Sequence, residues 1–368
     1  MTRSLPGTPD AQLRAGGLAG RLQSVATSVG LKVIPWVPTG AKRLLSGGRS
    51  VTIDGNTLDP TLQLALSGMR AFGINGLMLG DDVAASRTQM REMTKGFAGP
   101  QIHVGVNEVS IPGPAGPIAA RHYHPATSAP APLVVFYHGG GWILGDLDTH
   151  DPLCRLTCRD ADVHVLSIDY RLAPEHPAPA AADDAYAAFQ WACEHATDLG
   201  AIPGKVAVGG DSAGGNLAAV VSQRARDEGG PMPVLQWLIY PRTDFTAKTR
   251  SLSLFADGFL LTKADIDAFN KQYLGGSGVD AADPRVSPLL ADSLSGLPPA
   301  LIATAGFDPL RDEGDLYAAA LRAAGTPVDL RSSGSLTHGF ASLFPLGGGS
   351  AVATTELISA LRAHFSRV

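Results

Sequence analysis

Gly209-Gly210-Asp211-Ser212-Ala213-Gly214-Gly215 is the stretch whose reading decides the fold. It follows Lys205-Val206-Ala207-Val208, a short apolar run that reads as a buried strand. It precedes Asn216-Leu217-Ala218-Ala219-Val220-Val221, which opens a helix-compatible segment. Gly210-x-Ser212-x-Gly214 at such a junction fits a sharp strand-to-helix turn with a serine at its tip. The turn forces Ser212 into a strained backbone conformation, and a side chain on Gly210 or Gly214 would collide with the neighbouring strand or helix. The hydroxyl is lifted above the sheet. The N–H of Ala213 is aimed at the same point, with the positive end of a helix behind it. The pentapeptide alone also fits an ordinary Gly-rich turn, so the rest of the chain has to decide.

Working outward, buried-strand runs alternate with helical segments. Leu133-Val134-Val135-Phe136-Tyr137 is continuously apolar, the mark of a strand covered on both faces, and runs into His138-Gly139-Gly140-Gly141-Trp142. Residues 163–169 repeat the theme. Residues 182–199 form a helix with Ala185, Phe189, Ala192 and Ala196 on one face and Gly200 as a stop. Val234-Leu235-Gln236-Trp237-Leu238-Ile239-Tyr240 and residues 300–305 are further buried strands. A helix over 310–324, a last strand over 328–331 and a terminal helix over 351–365 complete the series. This alternation predicts a mostly parallel sheet with helices on both faces.

Two blocks stand outside the alternation. Residues 1–58 are rich in Gly, Ser, Pro and Ala and predict a partly helical, partly loose arm. Asp59-Pro60 reads as an N-cap with proline at the first helical position, and 82–95 as another helix. This block has no catalytic motif, and its expected job is to cover something. In the second block, 242–290, Thr262-x-x-Asp265 resembles a capping box, with Ile266, Phe269 and Tyr273 on one face. The expected organisation is an arm and part of a cap over 1–100, a core over 101–241, a cap insertion over 242–290 and the rest of the core over 291–368. A hairpin over 102–124 opens the sheet. His122 and His124 share a strand face, expected to be solvated because no third metal ligand is apparent.

Bulk properties narrow the function classes. Apolar residues make up 45% and charged residues 17%, which supports a sizeable core and argues against disorder. The net charge is −5 with no basic run, which argues against a nucleic-acid partner. Cys154, Cys158 and Cys193 are too few for a disulfide framework and read as core thiols rather than metal ligands. The first residues lack the apolar core of a signal peptide, and no stretch reaches the roughly 20 apolar residues of a membrane span. The expectation is a soluble cytoplasmic protein, with a homodimer compatible with the sequence.

A serine hydroxyl needs a base, and the base an orienting carboxylate. In this fold class they follow at later strand ends in the order Ser, acid, His. Asp308 follows the buried strand 300–305, and His338 follows the last strand. Asp308 also suits the cap of the next helix, and Asp312 and Glu313 are alternative acids expected inside that helix. The oxyanion formed by attack needs N–H donors, expected from Gly139, Gly140 and Ala213. Trp142, Phe259, Leu261 and Phe340 are the apolar candidates for a substrate pocket.

Five motifs in order now carry a resemblance: His138-Gly139-Gly140-Gly141-Trp142, Tyr170-Arg171-Leu172-Ala173-Pro174-Glu175-His176-Pro177, Gly210-Asp211-Ser212-Ala213-Gly214-Gly215, Asp308-Pro309-Leu310 and Leu336-Thr337-His338-Gly339-Phe340. Residues 103–368 resemble the hormone-sensitive-lipase-like branch of the α/β-hydrolase superfamily. The resemblance implies an α/β-hydrolase fold with an eight-stranded sheet and a helical cap. It also implies carboxylesterase activity on short or medium acyl chains, without a cofactor, and the ligand count above gives no metal site. Arg171 and Glu175 belong to a structural segment. The alternatives are a silent small-molecule receptor of the same fold, and an amidase or peptidase.

Overall fold

The computed structural model describes residues 33–97, 99–127 and 129–367. A short 3-10 turn at Ile34–Trp36 leads to α1 (Thr39–Leu45), a two-stranded ribbon of β1 (Thr52–Ile53) and β2 (Asn56–Thr57), then α2 (Pro60–Ala71) and α3 (Val83–Phe97). The core follows as β3 (Gly105–Gly113), β4 (Gly116–His124), β5 (Ala131–Tyr137), α4 (Asp151–Ala161), β6 (His164–Asp169), α5 (Ala180–Glu194), β7 (Ala201–Asp211), α6 (Ala213–Asp227) and β8 (Gln236–Ile239). Then come α7 (Arg250–Leu254), α8 (Lys263–Leu274), β9 (Ala300–Phe307), α9 (Arg311–Ala323), β10 (Val328–Thr337) and α10 (Gly348–Phe365).

The main sheet has eight strands in the order β10-β9-β8-β7-β5-β6-β4-β3. The pairings from β10 through β6 are parallel, while β4 is antiparallel to both β6 and β3. Side chains alternate across the sheet, so each strand feeds two cores. Leu133, Val135 and Tyr137 pack with α5, α6 and α9, whereas Val134 and Phe136 pack with α4 and α10. Burial on both faces explains why β5, β8 and β9 read as unbroken apolar runs.

Local chemistry sets several boundaries. Asp59 caps α2 by accepting from the N–H groups of Thr61 (2.8 Å) and Leu62 (3.2 Å), with Pro60 at the first position. The capping box of α8 forms between Thr262 and Asp265. Other boundaries move. The helix expected over 182–199 closes at Glu194, and the chain turns before Gly200. The last strand runs on to Thr337 through a polar stretch, because Ser332 and Ser333 pair in register with Thr304 and Ala305 of β9. The Ser332 and Thr304 hydroxyls lie 3.1 Å apart across that pair.

The solvated face expected for His122 is corrected. Its side chain is buried, stacked on His164 of the adjacent strand, with Nε2 3.0 Å from the His164 Nδ1. Burial, followed by the neighbouring imidazoles, lowers its pKa to about 4. Cys154 and Cys158 are unpaired and buried, as core thiols should be. No helix among the described residues is long and apolar enough to cross a membrane.

Candidate active site

The site is built at the carboxyl ends of β5, β7, β9 and β10. At the end of β7, Ser212 sits at φ 55° and ψ −114°, a strained conformation for a residue with a side chain. What holds it there is crowding. A Cβ on Gly210 would lie 2.4 Å from the Tyr137 carbonyl oxygen, and one on Gly214 would lie 1.8 Å from that same oxygen. The two glycines thus let α6 leave β7 against the neighbouring strand.

His338 follows β10 and Asp308 follows β9. The His338 Nε2 lies 2.9 Å from the Ser212 Oγ, and its Nδ1 lies 2.8 Å from the Asp308 Oδ2. Asp308 is fully buried and His338 nearly so. The other Asp308 oxygen, Oδ1, accepts from the Leu310 N–H at 2.8 Å. The turn into α9 and the orientation of the imidazole are therefore served by one carboxylate. The alternative acids are engaged elsewhere. Asp312 accepts from the Ser251 N–H, and buried Glu313 accepts from the N–H groups of Thr243 and Asp244.

The glycine loop after β5 requires a correction. The Gly139 N–H donates to the Asp211 Oδ1 at 2.8 Å and has no capacity left for an oxyanion. No hydrogen bond among the described residues takes the N–H groups of Gly140, Gly141 or Ala213. Gly140 (φ 120°) and Gly141 (φ 62°) adopt conformations that side chains resist. Of the loop glycines beside Ser212 in the cavity lining, Gly140 and Gly141 thus keep N–H groups without a partner among the described residues, whereas Gly139, expected as a donor, does not.

Asp211 is the functional residue that sequence reasoning passed over. It is buried, and besides the Gly139 N–H it faces the His150 Nε2 at 3.2 Å and the Tyr240 hydroxyl at 3.5 Å. Burial alone would raise its pKa. The His150 imidazole, the Gly139 N–H and His138 outweigh that and hold the carboxyl below its ordinary value. The Tyr240 ring lies 4.7 Å from the His338 ring. One carboxylate thus ties the glycine loop, the loop bearing His150 and the wall behind the triad imidazole. Its position beside the serine within the turn motif was the available sign, but nothing in the spacing pointed to His150.

A cavity of about 80 Å³ opens above Ser212 and His338. Met90, Met93 and Phe97 of α3, with Leu260, Leu261 and Phe269, give it an apolar lining. Of the apolar expectations, only Leu261 lines this cavity. Trp142 is stacked on Tyr273 at 4.5 Å and 7°, Phe259 packs on Phe255 and Phe307, and Phe340 packs edge-on to Tyr240. Those three rings hold the walls without facing the space. The missed lining comes chiefly from α3, whose polar composition hides a Met and Phe face.

Two links fasten this roof. Arg87 of α3 donates twice to Glu175 (both 2.8 Å) and also to the carbonyls of Ile143 and Ala173. Asp265 of α8 accepts from the N–H groups of Leu77 and Met78. Arg171 instead pairs in two-pronged fashion with buried Asp184.

Comparison with known proteins agrees with this geometry. Residues 134–342 match a family model described as the alpha/beta hydrolase fold. The chain is 70% identical to the carboxylic ester hydrolase LipN of Mycobacterium tuberculosis over the full length of both, and 40% identical to the carboxylesterase NlhH of that species over 84% of this chain and 97% of the relative. Among solved structures, an alpha/beta hydrolase enzyme from the metagenome of Lake Arreo superposes with a TM-score of 0.80 at 39% identity, covering 84% of this chain and 99% of the other. A Pyrobaculum calidifontis esterase gives 0.77 at 39%, covering 83% and 98%. The chain belongs to the α/β-hydrolase family, in its hormone-sensitive-lipase-like branch.

Proposed function

We propose that this protein is a serine carboxylesterase that hydrolyses short- to medium-chain carboxylic esters through an acyl-enzyme on Ser212. His338 takes the Ser212 proton through Nε2 as Oγ attacks the ester carbonyl. The carbonyl oxygen becomes an oxyanion held by the N–H groups of Gly140, Gly141 and Ala213. His338 then returns the proton to the departing alcohol, and water cleaves the acyl-enzyme by the same route. Asp308 fixes the imidazole tautomer and stabilises its cation.

The observation that carries this reading is the unbroken chain from Ser212 Oγ to His338 to Asp308, at 2.9 and 2.8 Å, beneath a small apolar cavity. The cap consists of α3 and its flanks together with the 242–290 segment, while α1 and α2 brace the edge beside α10. A small-molecule ester is the partner, in the cytoplasm and without nucleic acid, consistent with the net charge of −5.

The test is hydrolysis of p-nitrophenyl butyrate and its matched anilide. The wild-type chain should cleave the ester far faster, and Ser212→Ala should lose at least about 10⁴-fold in kcat. A Ser212→Ala protein with wild-type activity, or a preference for the anilide, would overturn the assignment.

A further inference from the structure

Nine large apolar side chains are strongly exposed among the described residues, and four of them fall within residues 33–45. Val33 is 52% exposed, Trp36 85%, Leu44 76% and Leu45 66%. Scattered exposed leucines are ordinary, but a cluster containing a nearly bare tryptophan marks a contact surface. The segment is anchored rather than dangling. Ile34 is buried, and the Lys42 ammonium donates to the Thr61 Oγ1 of α2 at 3.0 Å. Pro35 lies over Gly347, and Pro345 lies over Gly99. Leu343 and Phe97, a few residues from those two contacts, both line the cavity above Ser212. The segment is therefore joined to the turn after Leu343, one of the residues that line the cavity.

Charge selects the occupant. Residues 1–50 hold seven basic residues and one acid, a net +6 inside a chain whose total is −5, so the remainder carries −11. Arg43 and Arg49 are exposed beside the patch. A second copy docked face to face would bring a +6 segment against its own like. Residues 1–32 supply four of those basic charges. An anionic, partly apolar plane is complementary to both features.

We propose that residues 33–49 dock this protein on the surface of a bilayer containing anionic phospholipid. Trp36, Leu44 and Leu45 enter the headgroup boundary, and Arg43 and Arg49 face the lipid phosphates. No step of the hydrolysis enters this inference.

The experiment is co-sedimentation of the full chain with vesicles of phosphatidylcholine, with and without phosphatidylglycerol. Binding should require phosphatidylglycerol and fall about tenfold or more when salt is raised to about 0.5 M. The triple variant Trp36→Ser/Leu44→Ser/Leu45→Ser and the charge variant Arg43→Glu/Arg49→Glu should each weaken it about tenfold. Both should leave turnover of soluble p-nitrophenyl acetate unchanged. The charge variant changes only exposed side chains and keeps the test valid if the triple variant fails to fold. Vesicle binding is read without turnover, so a failed esterase assay would not touch it. Three results would overturn the proposal: no sedimentation with anionic vesicles, undiminished sedimentation of the charge variant, or a dimer in solution that the charge variant dissociates.

Discussion

Replacing Asp211 tests the site where structure added most to sequence. Asp211→Ala removes the acceptor of the Gly139 N–H (2.8 Å) and the partner of the His150 Nε2 (3.2 Å). A hydrogen bond to a charged group contributes about 1.5–3 kcal/mol. Losing the one that pins the glycine loop lets the Gly140 and Gly141 donors drift by a comparable free energy. At about 1.4 kcal/mol per decade, kcat falls roughly 10- to 100-fold. The loss stays within the roughly 10²–10³ that follows removal of one oxyanion donor. KM should change little, because the donors act on charge that exists only after attack. Asp211→Asn keeps an acceptor for the Gly139 N–H and should retain most of kcat. The assay is steady-state hydrolysis of p-nitrophenyl butyrate, with thermal unfolding as the check on folding. A folded Asp211→Ala with wild-type kcat, or one whose whole loss lies in KM, would refute the loop-pinning role.

The cavity above Ser212 is narrow and apolar, so kcat/KM across p-nitrophenyl esters should peak among short acyl chains and fall at least about tenfold for long ones. Met93→Ala or Leu261→Ala should move the optimum to longer chains, and an unmoved optimum would show that the acyl group lies elsewhere. His122 and His138 are held neutral, each with its pKa lowered from 6.5 to about 4. The unfolded chain therefore takes up protons first. The stability these groups confer is complete above about pH 6.5 and is lost as pH falls toward 4, on the order of 3 kcal/mol for each. Thermal midpoints between pH 7 and pH 4 should show this fall, and His122→Asn should flatten it; a parallel curve would discount the pair. Arg87→Ala removes the link from α3 to Glu175 and the Ile143 and Ala173 carbonyls. It should raise KM several-fold and speed amide exchange across 83–97, and unchanged exchange would mean that α3 is held by packing alone.

Much of the architecture was legible because burial on two faces writes itself as apolar runs, as in 133–137 and 300–305. The strained serine was legible because only glycine fits at 210 and 214. What escaped depends on contacts between distant segments. Nothing along the chain tells that the Gly139 N–H is consumed by Asp211, so Gly139 was counted among the free donors. His122 looked solvated because its partner, His164, arrives from another strand. Trp142, Phe259 and Phe340 were apolar beside motifs, yet a ring beside a motif can equally brace it. The roof came from α3, whose Met90, Met93 and Phe97 are dispersed among Arg, Thr and Lys.

The most direct measurement is the intact mass and peptide map of the folded protein after treatment with a fluorophosphonate ester probe. Attack by an activated serine should give one stoichiometric adduct on Ser212, with labelling slowed at least about 10³-fold in a folded His338→Ala variant. An adduct on another serine, or wild-type labelling at the rate of that variant, would contradict the claim that His338 activates Ser212.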